Sequence, residues 1–216
     1  MIQGTDITLY TLSAGALAEE TVRDVLVGEK TGISPTTQTD GRLLGFTLAI
    51  PKGDAHIWTD RLVGFFGRVF RTVGYPEQGI EENIPLRWHK KVKVELADIS
   101  GTCTVYDCKT YERHLYSRVC IRDQRGGVTV TTEGSQVAGG LQVRIYSPLT
   151  VAGSYIPKAG DIIIPAECDA AIDTTSGQTV SQSIAALRAA YPQYAAVVTV
   201  SRQYYGDKPD IVIEAR

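Results

Sequence analysis

The stretch GDIIIPAE, residues 160–167, reads as a tight turn running into a strand. Its approach, SYIPK over 154–158, reads as an ascending arm. Further β-favouring residues flank it, with Val143 and Ile145 before and Val198, Val200, Ile211 and Ile213 after. A weaker copy lies upstream at Trp58, Thr59, Asp60, Arg61, Leu62, Val63 and Gly64. The two stretches together suggest one small β-barrel unit written twice.

Other matches follow in the same order along the chain. Cys103, Thr104, Val105 and Tyr106 repeat the look of Ile7, Thr8, Leu9 and Tyr10. Gly127-Val128 followed by Thr131-Thr132 echoes Gly32-Ile33 followed by Thr36-Thr37, and GLQVRI over 140–145 echoes GFTLAI over 45–50. Asp161 answers Asp60, after a small insertion over 153–157. Ile211, Val212, Ile213 and Glu214 answer Val92, Lys93, Val94 and Glu95. The competing reading is one continuous β-sandwich whose strands merely look alike. The duplicated reading gives a mainly β chain of two tandem small barrel or sandwich units with long loops, the first over 1–98 and the second over 99–216.

Length and composition agree with this organisation. The 216 residues suit one large domain or two small ones, and 43% hydrophobic residues are enough for packed cores. The 21 glycines and 9 prolines suit short strands joined by turns. A net charge of −2 gives no general push toward nucleic acid or membrane. The sequence has no apolar run long enough for a transmembrane helix, and the opening MIQGTDITLY does not read as a secretory signal.

Individual elements are legible from periodicity. TDITLY over 5–10 alternates as a half-buried strand, and so does the run through Phe46, Leu48 and Ile50. Residues 14–20, rich in Ala and Glu, suggest a helical turn or a loop, with a β-favouring run over 21–27 after them. Gly64 and Gly67 break the helical spacing of Leu62, Phe66 and Phe70, so two strands are expected near 60–65 and 68–74. Long polar loops are expected near 34–44 and 74–85, and their counterparts near 131–139 and 169–180. SQSIAALRAAY marks the one short α-helix, about 181–191, with Ser181 or Ser183 as cap and Pro192 as stop.

The chemistry-bearing residues form no recognised catalytic pattern. The sequence lacks a GxSxG elbow, a phosphate loop, an HExxH pair and an EF-hand loop. The acidic pairs Glu19-Glu20, Glu81-Glu82 and Glu167 with Asp169 would suit glycoside hydrolysis only beside aromatic platforms, and the chain has just Trp58 and Trp88. Cys103, Cys108, Cys120 and Cys168 form no CxxC pair. They read as small buried hydrophobes in a reducing compartment, with a Cys103–Cys120 disulfide and a zinc site as the other options. No catalytic, cofactor or metal residue is assigned. The one basic stripe is Arg87, His89, Lys91 and Lys93, opposite Trp88, Val92 and Val94. It reads either as the solvated face of an edge strand or as a contact with DNA or an acidic partner.

DITLY at 6–10, the glycine-marked central strands, SYIPKAGDIII at 154–164 and VVTVSRQYYGDKPDIVIEA at 197–215 together resemble the small β-barrel head-completion proteins of tailed bacteriophages, the stopper or neck proteins of the head–tail junction. The likeness is closer over 100–216 than over 5–96. It implies a non-catalytic virion protein without cofactor, made in the host cytoplasm and located in the neck. It further implies rings, commonly six-fold, that surround the DNA channel and contact portal or adaptor proteins and the tail terminator or tube. This chain is double-length for the family, so six copies would bring twelve barrels. A tail terminator or minor tail protein is the alternative within the phage setting. A carbohydrate-binding or hydrolytic β-sandwich is the alternative outside it.

Overall fold

The structure is a computed structural model that describes residues 3–13, 16–29, 45–123, 128–131, 134–137, 140–146 and 154–216. The loop expected near 34–44, Gly127 and Gly153 lie outside the described residues. The chain divides into two compact units. The first is built on residues up to Asp98 and takes in Tyr204–Pro209. The second is built on Ile99–Tyr146, Ala152–Gln203 and Asp210–Arg216.

The first unit is a closed barrel of six strands: β1 (Thr5–Ser13), β2 (Ala16–Glu29), β3 (Gly45–Pro51), β4 (Leu62–Phe65), β5 (Arg68–Gln78) and β6 (Trp88–Leu96). Around the barrel their order is β1-β2-β3-β6-β5-β4, with β4 pairing back to β1. Inward residues alternate along each strand, as period two requires. Ile7, Leu9, Leu48, Val63, Phe70 and Val94 meet in the core, each stabilising by about 1.5–3 kcal/mol on burial. Phe65 and Phe70 stack at 4.2 Å and Phe46 meets both edge-on at 5.5 Å, which adds directional packing.

The second unit is also a closed barrel of six strands: β7 (Gly101–Tyr106), β8 (Arg113–Asp123), β11 (Leu141–Ile145), β12 (Ile162–Ile164), β13 (Ala195–Tyr204) and β14 (Pro209–Ala215). Its order, β7-β8-β11-β14-β13-β12, repeats the first strand for strand. The ladders repeat as well. Leu9 pairs with Val63 and Val105 with Ile163. Leu48 pairs with Val27 and Val92, while Val143 pairs with Ile121 and Ile213. Both barrels carry a bulge at one place, between Thr5 and Ile7 and between Gly101 and Thr102. At each bulge the residue before the paired valine takes a left-handed backbone, Asp24 at φ 58° and Arg118 at φ 60°.

These ladders correct two of the sequence matches. Arg61 O accepts from Thr72 N, and Asp161 O accepts from Val197 N. Asp161 therefore stands where Arg61 does, and Gly160 stands where Asp60 does. The shared feature is the left-handed turn residue, φ 52° at Asp60 and φ 93° at Gly160, not the shared aspartate. Likewise Ile213, not Ile211, occupies the place of Val92, a slip of one pleat that keeps the same face inward.

Other expectations change too. Residues 16–20 belong to β2, because each pairs with a residue of β1 and this ladder outweighs their Ala/Glu composition. The approach 154–158 forms no strand. The loop expected near 74–85 is shorter, since β5 runs to Gln78 and a 3-10 turn covers Glu81–Asn83. The region near 131–139 includes a two-stranded ribbon, β9 (Val128–Thr131) and β10 (Gly134–Val137). The helix, α1, runs over Gly177–Ala190 instead of 181–191. Its cap is Ser176: Ser176 Oγ accepts from Thr179 N (3.2 Å) and Thr179 Oγ1 accepts from Ser176 N (3.0 Å), a reciprocal capping box. Leu187 buries against Tyr106, Ile162, Ile164, Cys168 and Ile172. The run of three isoleucines thus serves two cores, with Ile163 inside the barrel and Ile162 and Ile164 beneath the helix.

Candidate functional site

Strand β6 carries the basic stripe and lies between β3 and β5, so it is not an edge strand. Blocking edge-to-edge association is therefore no explanation for its lysines. Lys91 and Lys93 point outward and are exposed, and Arg87 is exposed just before the strand. His89 departs from the expected phase. The ladder shifts between Ile50, which pairs with Lys90, and Pro51, which pairs with Trp88. That irregularity brings Trp88, His89 and Lys90 all under cover. The His89 side chain is only 2% exposed; its Nε2 lies 3.8 Å from Glu81 Oε2, and its Nδ1 has no hydrogen-bond partner among the described residues.

Most of the stripe's charge is met inside the same unit. Lys93 pairs with Glu77, and Arg87 Nη1 lies 3.3 Å from Asp24 Oδ2. Lys90 reaches Asp54 at 3.4 Å. Asp54 also accepts from Trp58 Nε1 (2.7 Å) and pairs with His56 Nδ1 (2.5 Å). Burial pushes the Asp54 carboxyl up, but the bonds from Trp58 and His56 and the charges of His56 and Lys90 outweigh it and leave it below the ordinary range. The exposed pairs, Lys93 with Glu77 and Arg87 with Asp24, contribute little to stability, about 0–1 kcal/mol each.

A second polar cluster, absent from the sequence reading, sits at the turn before β12. Ligand atoms of Asp107, Cys108 and Asp161 lie within 4.8 Å of one another. Asp161, fully buried, accepts from Tyr155 Oη (2.6 Å), Lys158 N (2.8 Å) and Cys108 N (3.0 Å). Asp107 accepts from Lys158 Nζ (2.7 Å), Lys109 N (2.6 Å) and Thr110 N (3.0 Å). Lys158 first, then the two backbone groups, hold the Asp107 carboxyl well below the usual carboxylate range. Burial pushes the Cys108 thiol up, and so does its bond to Asp161. A metal would have to displace Lys158 and take a protonated thiol, so these residues fit a pin for the β7–β8 connection better than a metal centre. The visible signal was an Asp-Cys pair just after one strand and a Gly-Asp pair just before another.

Trp58 is 1% and Trp88 9% exposed, so neither offers a sugar platform. Trp88 Nε1 donates to Asp24 O (2.7 Å). All four cysteines are free; Cys103, Cys120 and Cys168 are buried, and burial pushes the Cys103 thiol up to about 12. Among the described residues, no helix is long and apolar enough to cross a membrane. In comparisons with known proteins, no family model, no curated protein and no solved structure matches this chain.

Proposed function

We propose that this chain is a structural protein of a tailed-phage virion, a stopper-like component of the neck that assembles as a ring around the DNA channel. The observation that carries the reading is the repeat: two closed barrels of one strand order and one ladder register in a single chain. Such a repeat supplies a building block for assembly, and the polar clusters within it are spent on holding turns. The resemblance of 6–10, 154–164 and 197–215 to head-completion proteins gives that building block its setting. In this reading the partners are further copies of the chain, six to a ring, with portal or adaptor proteins on one side and the tail terminator or tube on the other. Lys91, Lys93 and Arg87 contact the packaged DNA without sequence preference. The protein has no catalytic role and no cofactor.

The test is to mix the purified protein with portal, adaptor and tail-tube proteins, measure the mass of any complex, and locate it in particles by electron microscopy. Density between portal and tube supports the neck assignment. Density at the top of a free tail moves the protein to the tail-terminator class. A monomer that ignores all of these partners overturns the reading.

A further inference from the structure

One edge of β2 is open along the first part of the strand. β1 pairs with β2 over 16–25, whereas β3 joins its other edge only from Leu26 onward. Among the described residues, no strand lies beside that other edge over 18–23. An unpaired edge presents free N–H and C=O groups that a further strand can take up. At the far end a bulge sets Arg23 and Asp24 opposite Asp6 alone and bends the strand, so the open strip stops there.

The outer face of this strip carries Glu19, Thr21 and Arg23, and all three are exposed. Glu19 and Arg23 make no ion pair among the described residues. On the inner side Val22 is buried, and Glu20 is held by His56 Nε2 at 3.3 Å. The outer triplet is self-complementary. Turned about a two-fold axis at Thr21, an antiparallel copy sets glutamate opposite arginine at both ends and threonine opposite threonine in the middle. Opposite charges and paired threonines are the cross-strand neighbours that stabilise a ladder. The second barrel lacks this property. Its ladder puts Arg113 at the place of Glu19 and Leu115 at the place of Thr21, so Ser117 stands where Arg23 does. The same turn there sets arginine opposite serine, and Arg113 is already engaged by Asp169 at 2.7 Å.

We infer that two copies of this chain pair antiparallel along the open strip of β2, with Thr21 facing the partner's Thr21 and Glu19 facing the partner's Arg23. The occupant is a second copy, selected by charge complementarity: one strip carries both halves of the match. The same patch serves on both copies, so the contact is isologous and closes at two. It goes beyond the ring reading above and does not depend on it.

Facing Cα atoms of an antiparallel pair lie about 4.5–5.5 Å apart, a span that a disulfide bridges. Full-length Thr21→Cys under a mild oxidant should therefore give a covalent species of twice 23.5 kDa on a non-reducing gel. Leu115→Cys, at the matching position of the second barrel, should not. On the Thr21→Cys background, Glu19→Arg sets arginine against arginine and Arg23→Glu sets glutamate against glutamate, so each alone should lose most of the covalent dimer. Glu19→Arg/Arg23→Glu together exchanges the signs and should recover it. Tryptophan melting shows that each variant is folded. A Thr21→Cys chain that cross-links no more than Leu115→Cys overturns the contact. Single reversals that cross-link as fully as Thr21→Cys alone overturn it too, and so does a double reversal that fails to recover the dimer. The ring reading stands or falls separately, on the mass of the wild-type chain beside portal and tail proteins.

Discussion

The first barrel joins β4 to β5 with two residues, Phe66 and Gly67, whereas the second spends 165–194 on the equivalent join from β12 to β13. Closure of the ladder is the same in both. What differs is the cover placed on the outer face of the strand before the join. In the first barrel Gly64 lies against the Tyr10 ring, which leaves no room for a β-carbon there. In the second the matching residue is Ile164, buried beneath α1. A short turn with a bare strand and a long excursion with an apolar one are two answers to the same requirement: each strand must bury whatever face the chain gives it. Decoration can therefore change without disturbing the barrel.

The sequence supplies separate reporters for testing this comparison. Both tryptophans, Trp58 and Trp88, lie in the first unit, and all four cysteines lie in the second. Tryptophan fluorescence follows one barrel and thiol alkylation the other. The largest effects come from truncating the cores. Leu48→Ala and Ile163→Ala should each cost about 2–5 kcal/mol. Leu48→Ala should lower the fluorescence transition and spare thiol protection, and Ile163→Ala should do the reverse. If both probes move together in both variants, the two cores do not act separately.

Turn chemistry gives the next largest effects. Phe66 at φ 50° and Gly67 at φ 67° form the two-residue hairpin, where asparagine suits the first place far better than a bulky ring. Phe66→Asn should relieve about 1 kcal/mol of backbone strain but lose the edge-on contacts of the ring with Phe65 (5.3 Å) and Phe46 (6.4 Å), so the fluorescence melting temperature should stay nearly unchanged. Arg118→Gly has no such loss and should stabilise the second barrel by about 1 kcal/mol, read as slower alkylation of Cys103 and Cys120. A loss of stability in either case would mean that the side chain packs more tightly than its exposure indicates.

Acid should separate the barrels more gently. Asp107 contributes stability above its unfolded value, about 3.9, and that contribution is lost as pH falls from there toward its lower folded value. Below about pH 4 the wild type should lose its advantage in thiol protection over Asp107→Asn, while the fluorescence transition of the first barrel stays the same in both. A gap that persists unchanged into strong acid would contradict the Lys158 pin. The smallest effect belongs to the basic stripe. Lys91→Glu/Lys93→Glu should leave folding within about ±0.5 kcal/mol, because both side chains are exposed. Failure to fold would place them in the core.

Much of the architecture was legible because period-two alternation survives in the core strands, from Phe46, Leu48 and Ile50 to Val92 and Val94. The pairing partners were harder to read. Matching identical residues aligned Asp161 with Asp60, but the backbone needs a left-handed residue at that point, and aspartate meets the need in one barrel and glycine in the other. Residues 16–20 looked like a helical turn or a loop because local propensity says nothing of β1, the strand that pairs with them. The helix start was hidden because Gly177, Gln178 and Thr179 resemble a loop until Thr179 is seen to cap Ser176 in return. His89 was misplaced because a shift of one residue reverses the phase of a strand without marking the sequence.

The most direct measurement is the mass of the wild-type chain in solution, by light scattering or native mass spectrometry, first at low salt and then with added salt. A closed multiple of the 23.5 kDa chain is expected, six copies on the ring reading. A single chain at every salt concentration, alone or beside portal and tail proteins, would contradict it.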